Sequence, residues 1–173
     1  MNGVMNGAGS RVRPMGHLQL DAAARALDRV GVVDVGSNSV RMVVFDGAAR
    51  SPAYYFNEKL MAGLGADLAR TGRLHPSGAR RAMAALRRFA SLADGMGIGP
   101  LSCVATAALR EAEDGPDFVA EVEAETGLRL WVVEETEEAR LSAQGVLLGW
   151  PTARGIMCDI GGSSLELAEI ADG

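Results

Sequence analysis

A chain of 173 residues and 18.1 kDa has room for one ordinary domain, or for one domain and a fragment of another. With 48% hydrophobic and 23% charged residues it buries a real core, which excludes a disordered chain. No apolar run approaches the ~18 residues of a membrane span, and a net charge of −5 argues against general nucleic-acid binding.

The first 29 residues read as a partly disordered tail without the continuous apolar stretch of a secretory signal. Met15 offers an alternative start, and the run 18–29 (LQLDAAARALDR) favours helix. A β-branched run over 30–34, a turn at 36–39 (GSNS) and a second apolar run over 40–46 predict a hairpin, with 53–60 as a third strand. A Gly-rich loop follows, then a helix over 76–93 whose Ala79, Met83, Leu86 and Ala90 recur at helical spacing, with arginines on the other side. His75, before Pro76, is a surface turn position at that helix start, and Asp94-Gly95-Met96-Gly97 ends the helix.

Next come a strand over 101–105, a helix start after Thr106, a helix over 116–126, a strand over 128–133 and a helix over 135–148. A second hairpin closes the chain: a strand over 154–160, a turn at 161–164 (GGSS) and a strand over 165–170. This order specifies an α/β domain over 30–150, a mixed sheet flanked by helices as in ribonuclease H-like folds. Residues 151–173 read as the start of a second, truncated domain.

Cys103 and Cys158 lie in apolar, strand-like runs without partners at metal-ligand spacing, which predicts buried, reduced thiols in a cytoplasmic protein. Trp131 and Trp150 read as core or hinge packing. Six arginines and no acid lie between Arg70 and Arg88, whereas eleven acids and only Arg129 lie between Glu111 and Glu138. Such polarity either steers an anion or marks two solvated helix faces.

The two hairpins resemble each other: VVDVGSNSVRMVV near the start and IMCDIGGSSLELAE near the end. Each sets an aspartate at a strand end (Asp34, Asp159), then a glycine (Gly36, Gly161), then small polar residues: Ser37, Asn38 and Ser39 in one, Gly162, Ser163 and Ser164 in the other. Glycine allows close approach of backbone to a phosphate. Successive N–H groups and hydroxyls supply donors, and the aspartates are placed to hold Mg²⁺. Two such hairpins are the mark of the actin, heat-shock 70 and sugar kinase superfamily, in which two related domains clamp a phosphate chain.

Within that superfamily, DVGSNSVR (34–41), LGADLARTGRL (64–74), ATAALREA (105–112), EETEEARL (134–141) and DIGGSSLE (159–166) resemble the exopolyphosphatase / guanosine pentaphosphate phosphohydrolase (Ppx/GppA) family. The resemblance covers nearly all of 30–173. One departure stands out: Ser163 occupies a position where the family usually has a third glycine.

The resemblance implies a magnesium-dependent hydrolase that releases terminal phosphate from linear polyphosphate or guanosine pentaphosphate. It also implies a homodimer at full length, and an incomplete site in a chain of this extent. Glu138 is implied as the catalytic carboxylate, with Glu137 its solvated neighbour, although taken alone Glu138 reads as a surface helix residue. Asp159 and Glu166 match the acids bracketing the second hairpin and imply Mg²⁺ binding or placement of phosphate and water. Alternation along 165–170 turns Leu165 and Leu167 inward and leaves Glu166 on a solvent face that is also the cleft face. Arg41 and Arg110 are candidates for phosphate oxygens, with an ion pair to Glu111 or Glu113 the alternative for Arg110. Two other readings stay open: a kinase of the same superfamily, against which Glu138 argues, and a non-catalytic alarmone- or polyphosphate-binding sensor, which Ser163 would suit.

Overall fold

The computed structural model describes residues 29–47, 53–99 and 101–171. The tail, with Met15, His17 and the run 18–28, lies outside the described residues. The elements are β1 (Val30–Val35), β2 (Ser39–Phe45), β3 (Tyr54–Met61), α1 (Leu68–Thr71), α2 (Pro76–Gly95), β4 (Ser102–Ala105), α3 (Ala107–Glu111), α4 (Gly115–Thr126), β5 (Leu130–Val132), α5 (Glu135–Gly149), β6 (Gly155–Ile160) and β7 (Leu165–Ile170).

Five strands form one mixed sheet in the order β3-β2-β1-β4-β5. β1, β2 and β3 pair antiparallel as a meander, whereas β4 and β5 run parallel to β1 and return through helices. The β-branched alternation of β1 and β2 sets the two faces. Val33, Val35, Val40, Met42 and Val44 are buried in the core, and Asp34 and Arg41, paired across the ladder, take the opposite face. The core face is covered by α2, which buries Ala82, Met83, Ala85, Leu86, Phe89 and Ala93. Phe118 and Val122 of α4 and Leu109 of α3 complete the cluster.

Pro76 opens α2 with its fixed φ, at a position where a missing N–H costs nothing. His75 caps the helix, its Nδ1 accepting the Gly78 N–H at 3.0 Å. The helix runs through Gly95, and the turn that stops it centres on Gly97, whose φ is +64°. The segment read as a Gly-rich loop contains a turn of helix, α1, closed by Gly72 in the left-handed conformation.

The arginine run pairs with acids both inside and outside the acidic block. Arg73 pairs with Asp114 at 3.3 Å, Arg87 pairs with Glu125, Arg88 with Glu58 at 3.0 Å and Arg70 with Asp67 at 3.1 Å. Arg81 donates from Nε to the Ala62 carbonyl at 2.8 Å. Exposed pairs of this kind contribute little stability each. They do show the arginine run as helix faces that meet acids of the same molecule.

β6 and β7 form a separate two-stranded sheet covered on one face by α5. Here the expected sidedness is reversed. Glu166 is 2% exposed, while Leu165 and Leu167 are 55% and 61% exposed. α5 lies over the face carrying Met157, Asp159, Glu166, Ala168 and Ile170, so the alternating leucines point away from it. The open face also carries Ile156 and Ile160 and exposes Cys158, which therefore is not the buried thiol expected. Cys103 is buried in β4, and burial pushes its thiol pKa up to about 11. Trp131 and Trp150 are exposed, against the expectation of packing residues, and α5 contributes no fully buried residue.

Candidate active site

The two hairpins that resemble each other in sequence close with the same bond. Gly36 N–H donates to the Ser39 carbonyl at 2.9 Å, and Gly161 N–H to the Ser164 carbonyl at 2.9 Å. Each turn therefore presents two residues at its tip: Ser37 and Asn38 in the first, Gly162 and Ser163 in the second. The tips meet. Ser37 Oγ lies 2.5 Å from Ser163 Oγ, and a Cβ built on Gly162 would fall 2.6 Å from Asn38 Nδ2. The first residue of each tip thus faces the second of the other, the exchanged pairing of a two-fold contact. Gly162 is needed less for a special backbone angle than for space against Asn38.

The first tip is held from behind by the segment that joins β3 to α1. Ala62 and Gly63 N–H donate to the Asn38 carbonyl, and Gly65 N–H to the Ser37 carbonyl, each at 2.9 Å. A Cβ on Gly65 would lie 3.1 Å from Ser37 Cβ. The run 64–74 carries family wording, and its glycine 65 has this physical role, which spacing alone did not disclose.

Acidic groups gather where the tips meet. Asp159 and Glu166 are direct partners across the β6–β7 ladder and share the face under α5. Like charges opposite one another in a ladder repel. Glu166 Oε1 is buried with no hydrogen-bond partner among the described residues. A buried orphan of this kind is costly unless a ligand satisfies it. Glu138, from the first turn of α5, faces the same acids, its pKa pushed above the ordinary value. Burial is the main cause; Glu166 and Asp159 add to the rise, and Arg110 opposes it by hydrogen bond and charge. Asp34, across on the first hairpin, keeps an open surface, but the surrounding protein strips enough hydration to raise its pKa too. Arg41 and Lys59 lower it, and Asp159 raises it.

The structure places the two candidate arginines differently. Arg41 stands beside Asp34 on the open sheet face, its Nε donating to Asn57 Oδ1 at 2.9 Å. Arg110 is largely buried, and its NH1 donates to the Val133 carbonyl at 2.9 Å and to Glu138 Oε2 at 2.8 Å. The alternative pair with Glu111 is present only at 3.9 Å. Arg110 thus holds the catalytic candidate. Glu137 turns outward to Arg140 at 2.6 Å. One contact had no forerunner in the sequence reading: Ser142 Oγ lies 2.6 Å from Asp159 Oδ2. Its position four residues after Glu138, on the same helix face, was the available signal.

The sequence profile of the Ppx/GppA phosphatase family matches residues 43–173. The chain belongs to that family. Exopolyphosphatase 1 of Mycobacterium leprae is 35% identical over 147 residues, 83% of this chain and 43% of that protein. The crystal structure of an exopolyphosphatase from Cytophaga hutchinsonii superposes with a TM-score of 0.75 at 26% identity, over 80% of this chain and 45% of that one. The Ppx/GppA family member from Aquifex aeolicus gives a TM-score of 0.70 at 28% identity, over 80% and 46%. The sheet order and its helices are therefore those of the actin-like fold of Ppx/GppA structures. The chain spans less than half the length of these relatives.

Proposed function

We propose that this chain supplies the first ribonuclease H-like domain and the opening hairpin of a second in a magnesium-dependent phosphoric-anhydride hydrolase. Its substrate would be linear polyphosphate or guanosine pentaphosphate, cleaved at the terminal phosphate. The observation that carries this is the set of Asp159, Glu166 and Glu138, drawn from two strands and a helix, beside two touching turn tips. The proposal extends to a cytoplasmic homodimer at the full length of the relatives; no helix among the described residues is long and apolar enough to cross a membrane.

The residues fit Mg²⁺ in a limited way. Among the described residues no three His, Cys, Asp or Glu side chains gather closely enough for a cage, so Asp34 does not complete a three-acid site with Asp159 and Glu166. Mg²⁺ ordinarily uses only one or two carboxylates, with water and phosphate oxygens completing its shell. Asp159 and Glu166 provide those two, and the unpartnered Glu166 Oε1 suits such a role. When bound, Mg²⁺ would offset charge on the phosphate oxygens. Ser37, Asn38, Ser39 and the Gly161–Ser164 turn would orient the terminal phosphate. Glu138 would take a proton from the attacking water, whose oxygen bonds to phosphorus as the bridging P–O bond breaks. The shortened chain leaves with the electron pair.

Release of inorganic phosphate from polyphosphate and from guanosine pentaphosphate, with Mg²⁺ and with excess chelator, tests this reading. Turnover that persists under chelation contradicts it. The base must be ionised, so release is expected to rise with pH through Glu138's pKa, which burial raises above the usual glutamate value. Arg110→Met removes the partner that lowers that pKa, so the rise moves to higher pH. An unmoved profile would show that Arg110 does not act through Glu138.

A further inference from the structure

α5 presents Glu138 and Ser142 on one face, one turn apart. A serine within a helix commonly bonds back to the carbonyl four residues earlier or points into water. Ser142 reaches across to β6 instead, its Oγ 2.6 Å from Asp159 Oδ2. A carboxylate only accepts, so the hydroxyl is the donor. This bond matters because of what Asp159 faces. Glu166, its ladder partner, is buried on the same face under α5 and of like charge, so the two carboxylates repel.

We infer that Ser142 is a positioning residue, holding one oxygen of Asp159 toward α5 so that its other oxygen stays with Glu166 at the turn tips. The inference rests on the proposed reading of Asp159 as an acid of the phosphate site. It adds that one rigid helix face fixes two members of that site: Glu138 directly and Asp159 through Ser142. A charge-assisted hydrogen bond is stronger than a neutral one and more specific in direction. Its loss should therefore appear in ligand binding more than in folding.

The test titrates sodium tripolyphosphate, in the presence of Mg²⁺, into the wild-type chain, Ser142→Ala and Ser142→Thr, with thermal unfolding of each. Alanine is expected to weaken binding about tenfold, the order of one lost hydrogen bond to a charged group. Threonine, which keeps the hydroxyl, restores it, and melting temperatures stay together. Wild-type affinity in the alanine variant overturns the inference while leaving the phosphate site intact. A threonine variant as weak as alanine, or weakening that tracks a lowered melting temperature, also overturns it by reducing Ser142 to a packing residue. Absence of tripolyphosphate binding by both the wild-type chain and one extended to the length of its relatives removes the phosphate-site reading itself, and Ser142's role with it.

Discussion

Replacing Glu138 with glutamine is expected to lower phosphate release by about 10²- to 10⁴-fold, the usual contribution of a general base, while phosphate-chain affinity stays nearly unchanged. The substitution keeps shape and an oxygen that still accepts from Arg110 NH1, so the α3–α5 contact survives. What it removes is the site for the proton of the attacking water. The comparison is made on this chain and on one extended to the length of its relatives. Release that survives the change would show that Glu138 is not the base. A wild-type protein that binds guanosine pentaphosphate yet never turns it over would favour the sensor reading.

Two glycines of one helix should respond in opposite directions to alanine. At Gly78 the added Cβ would fall 2.4 Å from the Gly63 carbonyl oxygen and 2.9 Å from Leu64 Cα. These are backbone atoms of the segment that braces the first turn tip, and they cannot swing aside as a side chain does. Gly78→Ala is therefore expected to destabilise the chain by about 3 kcal/mol, the upper range for overpacking. At Gly95, in the last turn of α2, nothing lies within 4 Å of the Cβ position. Gly95→Ala is expected to add up to about 1 kcal/mol through helix propensity alone. Urea unfolding of both variants checks the pair. A mild effect at Gly78 would mean that α2 can slide off the loop behind Ser37 and Asn38.

Much of the fold was legible because its signals are local. β-branched runs, Gly/Ser turns and the 3.6-residue spacing of α2 each act within a few residues, and β1, β2, α2 and α5 fall within two residues of their expected bounds. α1 escaped because a four-residue helix between glycines has no periodicity to detect. The inverted sidedness of β7 has a different cause. Alternation shows that Leu165 and Leu167 share a face, but not which face α5 will cover. The covering helix selects the side with Glu166, and the leucines are left out with Ile156 and Ile160. Trp131 and Trp150 were misplaced for a related reason, since large aromatics signal burial only where an element lies over them.

The candidate site was legible in its parts and not in its wiring. Matching hairpins identified both turn tips, and their shared closing bond agrees with that likeness. The family wording singled out Glu138. Arg110, read as a candidate for phosphate oxygens or for an ion pair with Glu111 or Glu113, donates to Glu138, a contact made when the β4–β5 pairing brings α3 and the start of α5 together. Ser163, a departure from the family pattern, meets Ser37 from more than a hundred residues away. Contacts of that range are set by tertiary packing and leave no periodic trace.

The proposed hydrolysis requires a terminal phosphate between the two turn tips, under Glu138. A crystal structure of the chain with Mg²⁺ and tripolyphosphate tests it most directly. The expected result is a terminal phosphate held by Ser37–Ser39 and Gly161–Ser164, with the Ser37–Ser163 contact opened and the cation on Asp159 and Glu166. Tripolyphosphate bound only along the arginines of α2, with Ser37 still against Ser163, would contradict it.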